Sequence, residues 1–221
     1  MSNTKIILSK NYNSIIKLYQ YSIFTLFLIF AILTTYHIYT APYDYQHNIY
    51  TLLLYLHAPI AWTGINLYII NCLNTIINLF YSNNISLNIT KSIALPNLIF
   101  LTLTLFTGSI WGKNSWGTYW VWDARLTSVF ILFIFYIIQN FIIITQKNYD
   151  HFKIDILNIL SCTIIPIIIF SVNIWHTLHQ GSSIQSNGIS YEILTPLKFA
   201  AITFHLYAYI ICHARFNQLH N

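Results

Sequence analysis

Charged residues are scarce in this chain. Asp, Glu, Lys and Arg make up 7% of its 221 residues, and 56% of the residues are hydrophobic. A soluble domain usually carries about 25% charged residues, so this composition excludes an ordinary soluble protein and indicates a membrane protein. The net charge of +5 comes from basic residues scattered through short hydrophilic stretches. We therefore expect no nucleic-acid partner, since binding a phosphate backbone calls for a clustered basic surface.

Cysteine is also rare. The three cysteines, Cys72, Cys162 and Cys212, each lie inside an apolar run, and no C-x-x-C pair occurs. We therefore expect buried, unreactive thiols, with neither a disulfide framework nor a zinc site. The chain also lacks a phosphate-binding glycine loop, a dinucleotide-binding turn and an H-E-x-x-H helix. Hydrolytic, nucleotide-driven and dinucleotide-dependent chemistry are therefore not expected.

Long apolar runs, in contrast, are abundant. A helix needs roughly 20 residues to cross the hydrocarbon core of a bilayer, and there an open strand would leave backbone groups unpaired. We therefore predict an all-α integral membrane protein with six transmembrane helices and a single domain, residues 1–221. The six predicted spans are residues 21–40, 51–74, 92–110, 126–145, 156–174 and 197–212.

Proline marks several expected irregularities in these spans. Pro59, Pro96 and Pro166 lie inside apolar runs, and each should free a backbone carbonyl one helical turn earlier. Pro59 follows His57 by two residues, so a kink there would fix the direction of that imidazole, unless the proline only marks an irregular helix start. Thr195 and Pro196 are expected to cap and begin the sixth span.

The distribution of Lys and Arg predicts the orientation. Membrane proteins carry more of these residues in their cytoplasmic or matrix loops. With six spans, both termini share one side, and that side has seven of the ten cations. The seven are Lys5, Lys10, Lys17, Lys91, Lys147, Lys153 and Arg215, against Lys113, Arg125 and Lys198. We therefore predict both termini on the matrix or cytoplasmic side, with the segment 111–125 and the loop 175–196 on the outer side.

The segment 111–125, called the tryptophan segment below, holds four of the six tryptophans of the chain. Tryptophan suits the membrane interface, and it also stacks on flat ligands. An aromatic belt would account for one or two of these side chains. Four of them, interrupted by Gly112 and Gly117, favour a shaped aromatic surface, because glycine lets the backbone turn or approach a ligand closely.

The sequence from Trp111 to Thr127, which contains the tryptophan segment, reads WGKNSWGTYWVWDARLT and resembles the Asp-ending "WWD" signature of the haem-handling membrane proteins of cytochrome c assembly. Within that superfamily it is most similar to the haem exporter protein C family, also called cytochrome c maturation protein C. The resemblance extends to YLHAP at residues 55–59 and TLHQG at 177–181, so it covers the chain from about residue 50 to 197.

The resemblance implies non-covalent haem b with two histidine ligands. His57 and His179 match the positions of the axial iron ligands in the family, and the predicted topology places both on the outer side. Two neutral imidazoles complete six-coordinate haem iron. His176, one helical turn from His179, is the alternative ligand. His205 is expected to bond a neighbouring helix, His37 and His47 to be interfacial, and His151, His213 and His220 to lie on the opposite side.

Other residues of the tryptophan segment have two interpretations each. Trp111, Trp116, Trp120 and Trp122 form either a haem platform, with the last three stacking, or an interfacial belt. Asp123 either caps the next helix or acts on haem. Arg125 and Lys113 are candidates to pair with the haem propionates, Arg with the better geometry. Arg125 could instead form a surface pair with Asp123, worth at most about 1 kcal/mol.

The family implies delivery of haem to a haem chaperone, cytochrome c maturation protein E, which captures it through its own histidine. The implied partners are an ABC-type ATPase with its membrane subunit and a small single-span helper, beside membrane lipid. We assign no catalytic residue, although a scaffold that positions reactants can accelerate bond formation. A transmembrane haem transporter, a larger haem–cytochrome c ligase and a b-type cytochrome subunit for electron transfer are the alternatives.

The amino-acid composition also indicates in which membrane the protein is expected to lie. The chain is rich in Ile, Asn, Tyr and Lys, and its eight lysines outnumber its two arginines. This bias is typical of an AT-rich genome. The N-terminal residues resemble neither an Arg-rich transit peptide nor a cleaved signal. We therefore expect a mitochondrial inner-membrane protein encoded by the organelle, with the inner membrane of an AT-rich bacterium as the alternative.

Overall fold

The computed structural model describes residues 2–43, 48–81, 84–145, 151–175, 178 and 190–220, and the described residues outside short turns are almost all helical. In chain order the helices are α1 (Ser2–Thr40), α2 (Thr51–Phe80), α3 (Asn84–Trp116), α4 (Ala124–Thr145), α5 (His151–Cys162), α6 (Ile164–Ile174) and α7 (Tyr191–His220).

Six stretches of these helices are long and apolar enough to cross a membrane, as predicted. They are Ser14–Thr40, Thr51–Phe80, Asn84–Trp116, Ala124–Thr145, Phe152–Ser171 and Tyr191–Leu219. The prediction of an all-helical protein with six membrane-spanning helices is confirmed. Most helices run beyond the predicted spans into terminal turns rich in polar side chains, which hydropathy alone treats as loop.

One helix start differs from the prediction. The last helix begins at Tyr191, so Thr195 and Pro196 lie inside α7 and do not cap it. Instead, the backbone carbonyl of Ser190 accepts from the N–H groups of Ile193 and Leu194. Pro196 lies beyond the first turn of α7 and has no N–H to donate to the carbonyl of Glu192, four residues earlier.

The fifth span is divided. Helix α5 ends at Cys162, Thr163 forms a turn, and α6 begins at Ile164. Pro166 has no N–H to donate to the carbonyl of Cys162, so the helical ladder is interrupted one turn before the proline, where the sequence predicted it. The break brings α6 against the start of α4, and both contribute to the site described below.

Helices α2 and α3 form the most extensive pair, and α7 packs against both while α1 packs on α7. Gly64 lies at the contact between α2 and α3, where a Cβ would be an ordinary 3.5 Å from the Cβ of Phe100. In lipid, small residues and polar bonds drive helix association more than hydrophobic burial does. The buried apolar side chains form two clusters, one joining α2, α3, α4 and α6 and the other joining α2, α3 and α7.

A buried polar network joins the helices in the half of the bundle opposite the tryptophan segment. The side-chain oxygen of Asn158 accepts from Asn71 (3.1 Å) and Gln139 (3.0 Å), and its amide donates to Thr75 (2.9 Å). All four side chains are at most 3% exposed. Hydrogen bonds between membrane helices contribute about 0.6 kcal/mol each on average. Through its three bonds, Asn158 connects α5 to α2 and α4.

Two of the three cysteines are paired, which corrects the expectation of separate thiols. Cys72 in α2 and Cys162 at the end of α5 form a disulfide, with their Cα atoms 6.0 Å apart. Spacing along the sequence gave no indication of this pair, because the two residues are 90 positions apart and meet only when α2 packs on α5. Cys212 in α7 is a free thiol.

Candidate functional site

A cavity of about 320 Å³ lies at the end of the bundle where α2 starts, α3 ends and α4 starts; we call this the cavity end. Ligand sites commonly enclose 300–1,000 Å³, with apolar walls and a few convergent polar groups. This cavity fits that description. Its aromatic and polar lining residues are His57, Trp62, Thr104, Ser109, Trp111, Trp116, Trp120 and Arg125.

His57 is positioned on α2 by contacts with α3. Its Nδ1 lies 3.0 Å from the hydroxyl oxygen of Thr107. Gly108, the next residue of α3, lies so close to the imidazole that an added Cβ would be 2.9 Å from Cε1 of the ring. The imidazole therefore packs against the bare backbone of α3 at the cavity wall. Pro59 lies inside α2, which begins at Thr51, so it does not mark a helix start.

The tryptophan segment is helical in its first part. Trp111 and Trp116 belong to the last turns of α3, and both line the cavity. Trp116 folds back over Gly112, where a Cβ would be 3.0 Å from the indole Cε3. Gly117 then adopts a φ of 78°, a conformation that side-chain-bearing residues rarely take, and this ends α3. Gly117 thus makes the predicted turn, whereas Gly112 makes room for the side chain of Trp116, and a close approach to a ligand stays a prediction.

Trp120 and Trp122 differ in exposure. Trp120 lines the cavity, whereas Trp122 is 75% exposed and touches the ring of Trp120 edge-on, at a centroid distance of 5.5 Å. The indole Nε1 of Trp120 is buried and has no hydrogen-bond partner among the described residues. An indole N–H can only donate, so the cavity wall offers a donor to an acceptor group on a ligand.

Asp123 caps α4. Its carboxylate oxygen Oδ1 accepts from the backbone N–H of Leu126 at 2.7 Å, and its carbonyl accepts from the N–H of Thr127 at 3.0 Å. This geometry is that of a helix N-cap. The capping interpretation of Asp123 is therefore confirmed. The second carboxylate oxygen is buried, with no partner in the part of the chain that the structure describes.

Arg125 and Lys113 differ in their relation to the cavity. Arg125 lines it and donates from Nε to the carbonyl of Ile168 in α6, at 3.2 Å. This bond fixes the stem of the side chain and ties α4 to α6. Lys113 is exposed, donates to the carbonyl of Gly117 at 2.9 Å, and lies 5.4 Å from the centroid of the Tyr119 ring. Lys113 thus stabilises the end of α3.

Several histidines named from the sequence lie outside the described residues, namely His47, His176 and His179. His205 bonds α2, as expected: its Nε2 lies 2.7 Å from the side-chain amide of Asn66 and its Nδ1 is 3.2 Å from the Thr63 hydroxyl. His37 stacks on Phe199 with a centroid distance of 4.5 Å. His213 stacks on Tyr209 in α7, at the end opposite the cavity.

Trp62, Thr107 and Gly108 also contribute to the site, although they were not predicted from the sequence. A signal for Trp62 was present, because His57, Ala58, Ala61, Trp62 and Ile65 recur at helical spacing and all line the cavity. Residues four apart share a helix face, so the face containing His57 could have been extended one turn. Thr107 and Gly108 gave no comparable signal, since their contact with His57 joins two helices.

These features define a class of protein, a helical membrane protein with a histidine- and tryptophan-lined cavity at one end of its bundle. The chain belongs to the Heme exporter protein C family, whose sequence profile matches residues 5–220. It is 39% identical over 185 residues to a ccmC-like mitochondrial protein of cytochrome c biosynthesis from Marchantia polymorpha, covering 80% of this chain and 78% of that protein.

Bacterial proteins are also similar. Heme exporter protein C of Haemophilus influenzae is 38% identical over 162 residues, covering 71% of this chain and 66% of that protein. Heme exporter protein C of Escherichia coli K12 is 32% identical over 184 residues, covering 81% of this chain and 74% of that protein.

Proposed function

We propose that this protein binds haem b non-covalently at the cavity end and delivers it to a haem chaperone, cytochrome c maturation protein E, during cytochrome c maturation. Family membership supports a role in haem handling. The observation on which the proposal chiefly depends is the cavity itself, where one imidazole, four indoles and one guanidinium meet.

The chemistry of the lining residues fits a porphyrin. Trp111, Trp116 and Trp120 offer flat apolar faces against which the ring can stack. His57 provides one axial ligand for the iron, and His179, in the connection between α6 and α7, provides the second. His176 is a neighbour of this second ligand. Trp122 lies at the exposed rim beside Trp120, a position suited to covering an outer edge of the ring.

Arg125 and Trp120 are the proposed partners of the haem propionates. Arg125 is held by the carbonyl of Ile168 through Nε, and the rest of its guanidinium fork has the geometry to bind a carboxylate. The buried N–H of Trp120 is a second donor of the kind a propionate needs. Asp123 acts indirectly, by capping α4 next to Arg125, because its own carboxylate would repel a propionate.

We further propose that the cavity end faces the intermembrane space or periplasm, since most cations lie at the opposite end of the helices. The location is then the mitochondrial inner membrane, with the bacterial inner membrane as the alternative. An ABC-type ATPase with its membrane subunit and a small single-span helper are the proposed partners, because the chain has no nucleotide-binding motif of its own.

The decisive experiment is a visible absorption spectrum of the purified protein after supply of haem. We expect a six-coordinate, low-spin spectrum that is lost in His57→Ala and His179→Ala and retained in His176→Ala. His213→Ala, at the opposite end, is the matched control and should bind haem as the wild type does. A wild-type protein that takes up no haem contradicts the proposal, and a reversed result for His176 and His179 means that the second ligand is His176.

Delivery is tested separately from binding. Haem-loaded protein mixed with the purified chaperone in detergent should transfer haem to it, measured as covalently attached haem on the chaperone after denaturing electrophoresis. Transport of haem into sealed vesicles containing only this protein, with no transfer to the chaperone, would support the transporter alternative and contradict delivery.

A further inference from the structure

We propose that Thr107 and Gly108 are positioning residues for His57, which together fix the tautomer and the ring position of the imidazole so that Nε2 presents its lone pair to the iron. That the metal bound by His57 is haem iron rests on the proposed function. The tautomer and the ring position rest on contacts between α2 and α3 alone.

The hydrogen bonds of Thr107 determine the tautomer. Its hydroxyl donates to the backbone carbonyl of Leu103 at 2.7 Å, one turn earlier in α3. A hydroxyl has a single hydrogen, so toward His57 Nδ1, 3.0 Å away, the Thr107 oxygen can only accept. Nδ1 must therefore bear the hydrogen. In a neutral imidazole this leaves the lone pair on Nε2, which is the form required of a metal ligand.

The burial of Thr107 favours the Nδ1-protonated tautomer of His57 over the other. Thr107 is 8% exposed, so water competes little for its oxygen. The opposite tautomer would place the lone pair of Nδ1 against a hydroxyl oxygen whose hydrogen is engaged elsewhere, which is unfavourable. Metal-binding histidines usually donate their other N–H to a neighbouring oxygen, and that bond orients the ring and raises its basicity. Thr107 is in the position to provide this bond.

Gly108 determines where the ring lies. A Cβ at this position would be 2.9 Å from Cε1, 3.4 Å from Nδ1 and 3.6 Å from Nε2 of His57, so only glycine leaves room for the imidazole as it is placed. The obstructed group is the end of a side chain and not backbone. An added methyl group would therefore displace the ring and leave α3 in place.

The first test needs no haem. In protein labelled with ¹⁵N-histidine, solid-state NMR should show a neutral, Nδ1-protonated imidazole that disappears in His57→Gln and is thereby assigned. Thr107→Val removes the acceptor at nearly constant volume and should move this signal to the Nε2-protonated form, while Thr107→Ser should retain it. Thr102→Val is the matched control, because Thr102 bonds the carbonyl of Leu98 in the same way (2.7 Å) but is exposed.

The second test uses haem-loaded protein. Thr107→Val should weaken haem binding by about 10- to 100-fold, the usual effect of removing such a supporting bond, and should raise the reduction potential of the haem that remains, since a less basic imidazole stabilises ferric iron less. Gly108→Ala should weaken binding similarly and shift the spectrum toward high spin. Gly64→Ala is the matched control, since its Cβ would meet its nearest neighbour at an ordinary 3.5 Å.

The two proposals fail in different ways. An Nε2-protonated His57 in the wild type, or a Thr107→Val protein with unchanged tautomer and potential, would overturn the positioning proposal even if haem binds. An Nδ1-protonated His57 in a protein that takes up no haem supports the positioning of the ring and contradicts the proposed function. If Thr107→Val does not fold, Gly108→Ala with wild-type spectrum and affinity overturns the proposal on its own.

Discussion

Replacing Asp123 separates its capping role from a direct role in haem binding. Oδ1 caps α4 through the N–H of Leu126 at 2.7 Å, and loss of an N-cap side chain costs about 1 kcal/mol, within a range of roughly 0.5–2. Asp123→Ala should therefore lower the free energy of unfolding by about 1 kcal/mol. If the loosened start of α4 misplaces Arg125, haem affinity should fall by about fivefold, which is the same energy expressed as binding.

Asp123→Asn is the informative partner of this variant. Asparagine caps a helix about as well as aspartate but has no charge. The Asp123→Asn protein should therefore unfold with nearly the wild-type free energy and bind haem within about twofold of the wild-type affinity. The measurements are thermal unfolding in detergent, followed by circular dichroism, and haem titration by absorbance. If the haem affinity of Asp123→Asn falls as far as that of Asp123→Ala, the negative charge itself is needed, and the capping explanation is refuted.

Three further predictions concern the cavity, the polar core and the topology. Trp120→Phe should weaken haem binding about tenfold or more in a haem titration, because a hydrogen bond to a charged group contributes about 1.5–3 kcal/mol, whereas Trp122→Phe at the exposed rim should change it less than twofold. Asn158→Leu should lower the unfolding free energy by about 2 kcal/mol through loss of three interhelical bonds, while Asn173→Leu, on an exposed face of α6, should not lower it. A membrane-impermeant amine reagent should label Lys113 from the intermembrane or periplasmic side, and labelling from the matrix or cytoplasm would reverse the proposed orientation.

The spans were predictable because hydrocarbon imposes a length and a composition, whereas their ends were not. Residues 75–91 were predicted to lie outside the membrane-spanning helices, yet nearly all the described ones are helical. The reason is polar pairing between the end of α2 and the start of α3. Asn74 donates to the carbonyl of Ser86 at 2.9 Å and to the hydroxyl of Thr90 at 3.0 Å. A hydropathy argument counts such side chains as solvated and does not see that they satisfy one another.

The candidate site, too, was predictable from the sequence only in part. Residues that share one helix or one segment, such as His57 or Trp116 and Trp120, could be named from motif and composition. Contacts between helices could not. The bond from Arg125 to Ile168 joins positions 43 residues apart, and the contact of His57 with Thr107 joins positions 50 apart. Both depend on which helices become neighbours, and the sequence pattern specifies spans without specifying their arrangement.

Removing His179 tests whether His57 alone can hold haem, as the proposed delivery requires. His57 lies on α2, which packs extensively against α3, and Thr107 and Gly108 of α3 contact its ring. The proposed second ligand belongs instead to the connection between α6 and α7. Under the proposed function, haem leaves only after one of its axial bonds breaks. If the chaperone's histidine replaces His179 first, haem held by His57 alone is the intermediate. The same species is expected in His179→Ala protein under excess haem, recognisable by a five-coordinate, high-spin spectrum.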